Sequence, residues 1–322
     1  MKAGTSRLIP VAVAALFVGG LLGPSLIAQR EGGAAPAGRA GAPAGGAGAQ
    51  GGQRRGGGPA AAPAVPVPAP SFPRLANGKP DLSGLWNNPY SPNMAGSAYD
   101  LKGQPLTFPR KGERFADDPK DGSGNVKTFD LPYTEWGLKQ WRAYDPVGNG
   151  DYAGNCLPFG LSRSINSPHG VQLVHHPDSL AFLFEQNTWH HWVPTSTKFK
   201  WPADLPPTWT GTSVGRWDGD TLVIETRNFN GYTRLDTTGH PHSKEMVMIN
   251  TFVPTLVNGA NAIHHTVTVR DPKSYTQEWM NVRTWRAKAA TDALMEYSCD
   301  ENNLQGILEG AIKVWKAPED ID

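Results

Sequence analysis

Only two cysteines, Cys156 and Cys299, occur in the chain, too few for a thiolate zinc cluster or a disulfide-dense scaffold. An excess of either charge is also missing: Lys plus Arg number 30 and Asp plus Glu 29, for a net charge of +1. Without a basic face there is nothing to hold a phosphate backbone, so nucleic acid is not expected as a partner. No glycine-rich strand-to-helix turn is present to cradle a nucleotide, because the abundant glycines fall early in the chain. No nucleophilic serine elbow is expected, and Ser243 beside His242 is only a dipeptide. None of the established zinc signatures occurs, and no cofactor is expected.

What is present at the N-terminus is a leader pattern. Lys2 and Arg7 precede an uncharged stretch, Leu8 to Ala28, that ends in small residues before Gln29 and Arg30. Residues 1–28 therefore read as a signal peptide. The apolar stretch is also long enough to span a bilayer, so an uncleaved anchor is the competing reading and the only expected contact with a membrane. No twin arginine precedes it and no cysteine lies near Ala28, which points to general secretory export, to the periplasm or the exterior. Residues 29–70, nearly all Gly, Ala and Pro, lack core-forming side chains and read as a disordered spacer. Residues 71–322 remain for one β-rich domain.

In an oxidising compartment the two thiols are expected to pair. Closing so long a loop stabilises a fold by roughly 4 to 5 kcal/mol in the chain-entropy model.

Past Ser164 the chain alternates like a run of strands: Val171–His175, Leu180–Glu185 and Trp189–Val193 come first. A hairpin follows, Thr212–Trp217 and Asp220–Thr226 about Asp218-Gly219. A second joins Met246–Leu256 to Asn261–Arg270 about Asn258-Gly259, and Glu278–Arg286 and Leu294–Cys299 end the run. A helix is expected from a Thr134 cap, weakened by Gly137, and another around Leu304 to Trp315. The expected fold is all-β, an antiparallel meander closing into a calycin- or lipocalin-like barrel or folding into a sandwich, with a few short helices.

Three stretches are distinctive together: Gly78-Lys79-Pro80-Asp81-Leu82-Ser83-Gly84-Leu85-Trp86, then Gly215 through Phe229, then Asp236 through Pro241-His242-Ser243. With Cys156-Leu157-Pro158-Phe159-Gly160 and Asp271-Pro272-Lys273-Ser274-Tyr275 they resemble a widespread group of secreted bacterial proteins with no established function. The resemblance spans most of residues 75–303 and implies no activity. Where similar sequences often read Glu-Arg-Phe, this chain has Asn250-Thr251-Phe252, which takes the acid and base away from that place.

Register about the Asn258-Gly259 turn puts Met248, Asn250, Phe252, His265, Val267 and Val269 on one face, where Asn250 and His265 interrupt an apolar surface. They are candidate ligand contacts if that face lines a cavity, or a satisfied core pair. Thr251, His264, Thr266, Thr268 and Arg270 share the other face, which reads as solvent-facing. Glu185 ends a strand beside Leu183 and Ala181 and is a candidate acid or base, or else a strand-end carboxylate in water. The nine histidines do not read as a metal site, since adjacent pairs on a strand point to opposite faces. Among the 11 tryptophans, Trp189, Trp192, Trp201, Trp209 and Trp217 crowd the middle of the chain, either to stack on a flat ligand or to fill the core.

The leading functional expectation is a secreted protein that binds a small apolar or aromatic molecule, with Arg163, Glu185, Trp217, Asn228, Asn250 and His265 as ligand contacts. The alternative is an extracytoplasmic hydrolase or isomerase that uses the same cavity, with His242 as general base oriented by Asp236. On either reading His242 and Asp236 are expected at the cavity mouth, close to Trp217 and Asn228.

Overall fold

The computed structural model describes residues 61–106, 131–146 and 148–318; the expected leader, the spacer as far as residue 60 and residues 107–130 lie outside them. Ten strands form one sheet: β1 (Gly84–Asn87), β2 (Ala98–Tyr99), β3 (Val171–His176), β4 (Ser179–Phe184), β5 (His190–Pro194), β6 (Thr212–Asp218), β7 (Thr221–Arg227), β8 (Val247–Val257), β9 (Ala260–Arg270) and β10 (Trp279–Ala287). Three helices accompany them, α1 (Glu135–Ala143), α2 (Gly160–Ile165) and α3 (Cys299–Leu308). Every ladder is antiparallel.

The strand order β5-β4-β3-β1-β10-β9-β8-β7-β6 is a meander with one departure. The short β1 inserts between β3 and β10, pairing Leu85 with Gln172 and Trp86 with Ala287, and so joins the two halves of the chain. β5 and β6, the ends of the order, form no ladder but meet through side chains. His191 Nε2 lies 2.6 Å from Ser213 Oγ, Ser213 Oγ lies 2.7 Å from Thr226 Oγ1, and Trp201 Nε1 donates to Ser213 O at 2.7 Å. The result is a nearly closed barrel rather than a sandwich.

The register is the one the turns dictate. Val257 faces Ala260 across Asn258-Gly259 and Asp218 faces Thr221 across Gly219-Asp220, so Phe252 stands opposite His265 and Leu222 opposite Phe252. The inward side chains fill the barrel. Phe252 stacks on His265 with ring centroids 4.5 Å apart, His265 meets the edge of Trp285 at 5.1 Å, and Phe182 packs on Phe252 at 5.9 Å. Burial of such rings is the main stabilising contribution here, at about 25 cal/mol per Å² of apolar surface. The outward face departs from expectation at His264. It is buried rather than solvent-facing, opposite Val253, next to the point where Ala69 N–H bonds Pro254 O at 2.9 Å.

That last bond also moves a boundary. Residues 61–70, assigned to the spacer by composition, hold to the domain through backbone groups, with Ala62 N–H to Gly103 O at 2.8 Å as a second contact. Backbone bonds need no large side chains, so composition is silent about them. A strand at Leu294–Cys299 does not form. Ser298 instead caps α3, its Oγ accepting from Glu301 N–H, and the helix runs earlier than expected. α1 starts as expected from Thr134, whose Oγ1 accepts from Gly137 N–H at 3.0 Å. Gly137 weakens the helix by propensity but is required by packing, since a Cβ there would sit 2.1 Å from Ser274 O.

Cys156 and Cys299 are joined, with Cα atoms 5.5 Å apart across 143 residues of sequence. The bond fastens the start of α3 to the turn after Tyr152, where Asn303 Nδ2 donates to Gly154 O at 2.9 Å and Asn155 Nδ2 to Lys313 O at 2.9 Å. Among the described residues no helix is long and apolar enough to cross a membrane. Replacing both cysteines by serine is expected to lower stability by about 2–5 kcal/mol, or several degrees of melting temperature. Scanning calorimetry checks this, and an unchanged melting temperature would contradict the role given to the bond.

Candidate functional site

The expected pair of His242 and Asp236 is not formed. His242 is buried, with Nε2 2.6 Å from Thr233 Oγ1 and Nδ1 3.1 Å from Ser243 O. Asp236 is fully buried and turned to the backbone. Its Oδ2 accepts from Met94 N–H at 2.7 Å, and its Oδ1 accepts from Thr238 Oγ1, Gly239 N–H and His240 N–H at 2.9, 3.1 and 3.3 Å. Such a carboxylate stitches a turn. The nearby imidazole is that of His240, whose Nε2 is 3.7 Å from Asp236 Oδ2. A polar, turn-rich segment reads from sequence as an exposed loop; here its polar groups are consumed by the turn itself.

Trp217 and Asn228 do not join them, nor each other. Trp217 pairs with Leu222 at one end of the β6–β7 hairpin, and Asn228 follows β7 at the other, about 20 Å away at strand rise. Trp217 stacks on His175 at 5.7 Å. Asn228, at φ 62°, donates to Leu205 O and Pro206 O. Asn250 and His265 do meet, Oδ1 to Nε2 at 3.0 Å, but inside the packed barrel. Glu185 lies beside His169 Nδ1 at 3.1 Å. Arg163 is held by both Asp151 oxygens, at 2.8 and 2.6 Å.

A deeper polar group in the barrel is Arg283, whose guanidinium donates to Asn281 Oδ1 and to Asn166 Oδ1 of the segment ending α2. Burial lowers its pKa to about 10. These partners hold the guanidinium among the buried side chains of the barrel. Gly211-Thr212-Ser213-Val214-Gly215 has the glycine spacing of a serine elbow, which the sequence reading overlooked. It lies on β6 rather than at a strand-to-helix turn, and Ser213 is fully buried against His191 and Thr226, so no substrate carbonyl reaches it. Among the described residues no three His, Cys, Asp or Glu side chains gather as metal ligands.

Convergent groups open to solvent occur instead beside the barrel, in a cleft of about 400 Å³. Four separate stretches build it. The last turn of α1 brings Lys139 and Gln140, with Tyr144 following; the loop before the disulfide brings Asp145 and Tyr152; the chain after β7 brings Tyr232 and Arg234; the C-terminal stretch brings Trp315 and Lys316. Gly239 seats Tyr144, for a Cβ there would meet the ring at 1.8 Å, and its φ of +89° suits glycine. Tyr152, Trp209, Tyr232 and Trp315 pack as one aromatic cluster. Ring centroids lie 5.6 Å apart for Trp209 and Tyr232, 6.0 Å for Tyr232 and Trp315, and 6.1 Å for Tyr152 and Trp315. Burial pushes the Tyr144 and Tyr152 hydroxyls up, so both stay protonated and able to donate.

Arg234 sits at the inner wall, 5 % exposed, its guanidinium carbon 5.5 Å from the centroid of the Tyr144 ring. Burial lowers its pKa, yet it remains a cation at any ordinary pH. Nothing in its local sequence, Thr233-Arg234-Leu235, marks it. Comparison with protein-family models, with curated proteins and with solved structures finds no match to this chain.

Burial fixes the pH response of the fold. His175, His191 and His242 are each lowered to about 4, and His265 well below its ordinary value, by desolvation first. The unfolded chain takes up these protons below about pH 6.5 while the folded protein excludes them. The stability this contributes is complete above about pH 6.5 and is lost as the pH falls toward 4, each imidazole adding up to about 1.4 kcal/mol per pH unit. The urea midpoint is therefore expected to drop between pH 7 and pH 5, above the range where carboxylates titrate. A flat midpoint over that interval would contradict the burial of these imidazoles.

Proposed function

We propose that the protein is an exported binder of a small molecule, and that the ligand sits in the lateral cleft rather than inside the barrel. The observation that carries this reading is the contrast between the two spaces. The barrel axis is occupied by Phe252, His265 and Trp285 in mutual contact. The cleft instead combines aromatic walls with a buried guanidinium in a volume of about 400 Å³, within the ~300–1,000 Å³ typical of small-molecule sites. The disulfide supports an oxidising, extracytoplasmic address, as does the leader pattern of residues 1–28. Catalysis has less support, since His242 and Asp236 each spend their polar atoms on neighbours within the fold.

Two measurements test the proposal. Intact mass of exported protein should place the mature N-terminus near Gln29, and a chain that keeps Met1 in the membrane would contradict export by cleavage. Mass spectrometry of small molecules released from natively exported protein should show a ligand that is lost in Tyr232→Ala and Trp315→Ala. These partly exposed rings lie at the edge of the fold, so melting temperatures should move by only a few degrees. Undiminished ligand in both variants would move the site elsewhere.

A further inference from the structure

Three arginines are buried among the described residues, and their surroundings differ. Arg163 is paired with both oxygens of Asp151. Arg283 donates to the amide oxygens of Asn281 and Asn166. Arg234, 5 % exposed, has no oxygen accepting from its guanidinium among the described residues, and its ring neighbour is Tyr144. It is also the one of the three that lines the cleft.

Asp151 gives both oxygens to Arg163 and acts on Arg234 only through space, so this wall keeps one guanidinium with no carboxylate bonded to it. An isolated buried charge is costly, and the cost is relieved by an anion that reaches it. Among the described residues the rim carries Lys139 and Lys316 together with Asp145. A guanidinium presents parallel N–H groups that match a planar carboxylate in a two-bond fork. A second negative charge is disfavoured, because the cleft borders the C-terminal turn of α1, where carbonyl ends point outward. Tyr232 and Trp315, nearly perpendicular at 87°, form an apolar corner for the rest of the ligand.

We infer that the cleft recognises a monocarboxylate with a flat apolar body, its carboxylate on Arg234 and its body against Tyr232 and Trp315. This rests on the reading of the cleft as the ligand site and adds the chemical class. It places the selective charge on a residue that neither motif nor spacing singles out.

Isothermal titration of the full exported protein with matched pairs, benzoate and benzamide, 2-naphthoate and 2-naphthamide, tests it, with phenyl phosphate as a dianion. At least one carboxylate is expected to bind saturably, about tenfold to a hundredfold tighter than its amide, the span of one charge-assisted contact. Arg234→Gln should erase that preference, bringing acid and amide to similar affinities, while Arg234→Lys should keep only part of it. Should Arg234→Gln fail to fold, the carboxylate-to-amide ratio of the native protein decides, together with its reduction in Lys316→Ala. Amides binding as tightly as acids, or phenyl phosphate binding tighter than benzoate, would overturn the carboxylate assignment and leave the cleft a binding site. No saturable binding by any compound would overturn the cleft reading itself.

Discussion

The contact on which the rest of the structure depends is the stack of Phe252 on His265, closed by the edge of Trp285, across the middle of the barrel. Three adjacent strands, β8, β9 and β10, supply one ring each, and Phe182 reaches them from β4 on the other half of the sheet. A small barrel is stable when its inward side chains meet. Here they meet so fully that the fold, which elsewhere often carries a ligand in its mouth, has its interior committed to cohesion. The polar groups within bond to one another, Asn250 to His265 and Asn281 and Asn166 to Arg283. A buried network of this kind specifies one packing and resists replacement of any single member.

On the proposed reading, binding falls to what the barrel supports from outside. The turns that could have presented groups at its rim are self-bonded, and the distinctive stretches of the sequence bind to each other. Ser243 gives its N–H and Oγ–H to Asp271, at 2.6 and 2.7 Å. Tyr275 donates its hydroxyl to Pro241 O at 2.7 Å. Lys79 reaches Gly219 O at 2.8 Å, and Arg74, just ahead of the first stretch, grips Asp220. These contacts account for the distinctive residues as joints of the fold. The cleft is assembled from less distinctive residues, and the disulfide braces its C-terminal wall by holding α3 and the stretch to Trp315 against the loop 150–156.

Much of the sheet was legible in the sequence because its information is local. Alternation and the two turns at Gly219 and Gly259 fix the register, so the shared face of Met248, Asn250, Phe252, His265, Val267 and Val269 follows from counting. The Thr134 cap and the meander are legible for the same kind of reason, whereas the pairing of Cys156 with Cys299, 143 positions apart, follows from an oxidising compartment and the presence of only two thiols. What was not legible depends on long-range placement. β1 is four residues long and gains its role only by lying between β3 and β10. His242 and Asp236 look available until the fold around them is seen to engage both imidazole nitrogens and both carboxylate oxygens. Arg234 gains its meaning from Tyr144, Tyr152 and Trp315, which lie about 80 to 90 positions away along the chain, and loop closure over such distances leaves no spacing rule to read.

The central claim is that rings pack across the middle of this barrel and that the ligand lies beside it, against Arg234. Arginine side-chain NMR, following the Nε–Hε signals during titration with 2-naphthoate, addresses it directly, because Arg163, Arg234 and Arg283 occupy three distinct environments. The account predicts a progressive shift at Arg234, a smaller one at Arg163, and none at Arg283. A shift at Arg283 with Arg234 unmoved would place the ligand inside the barrel and contradict the account.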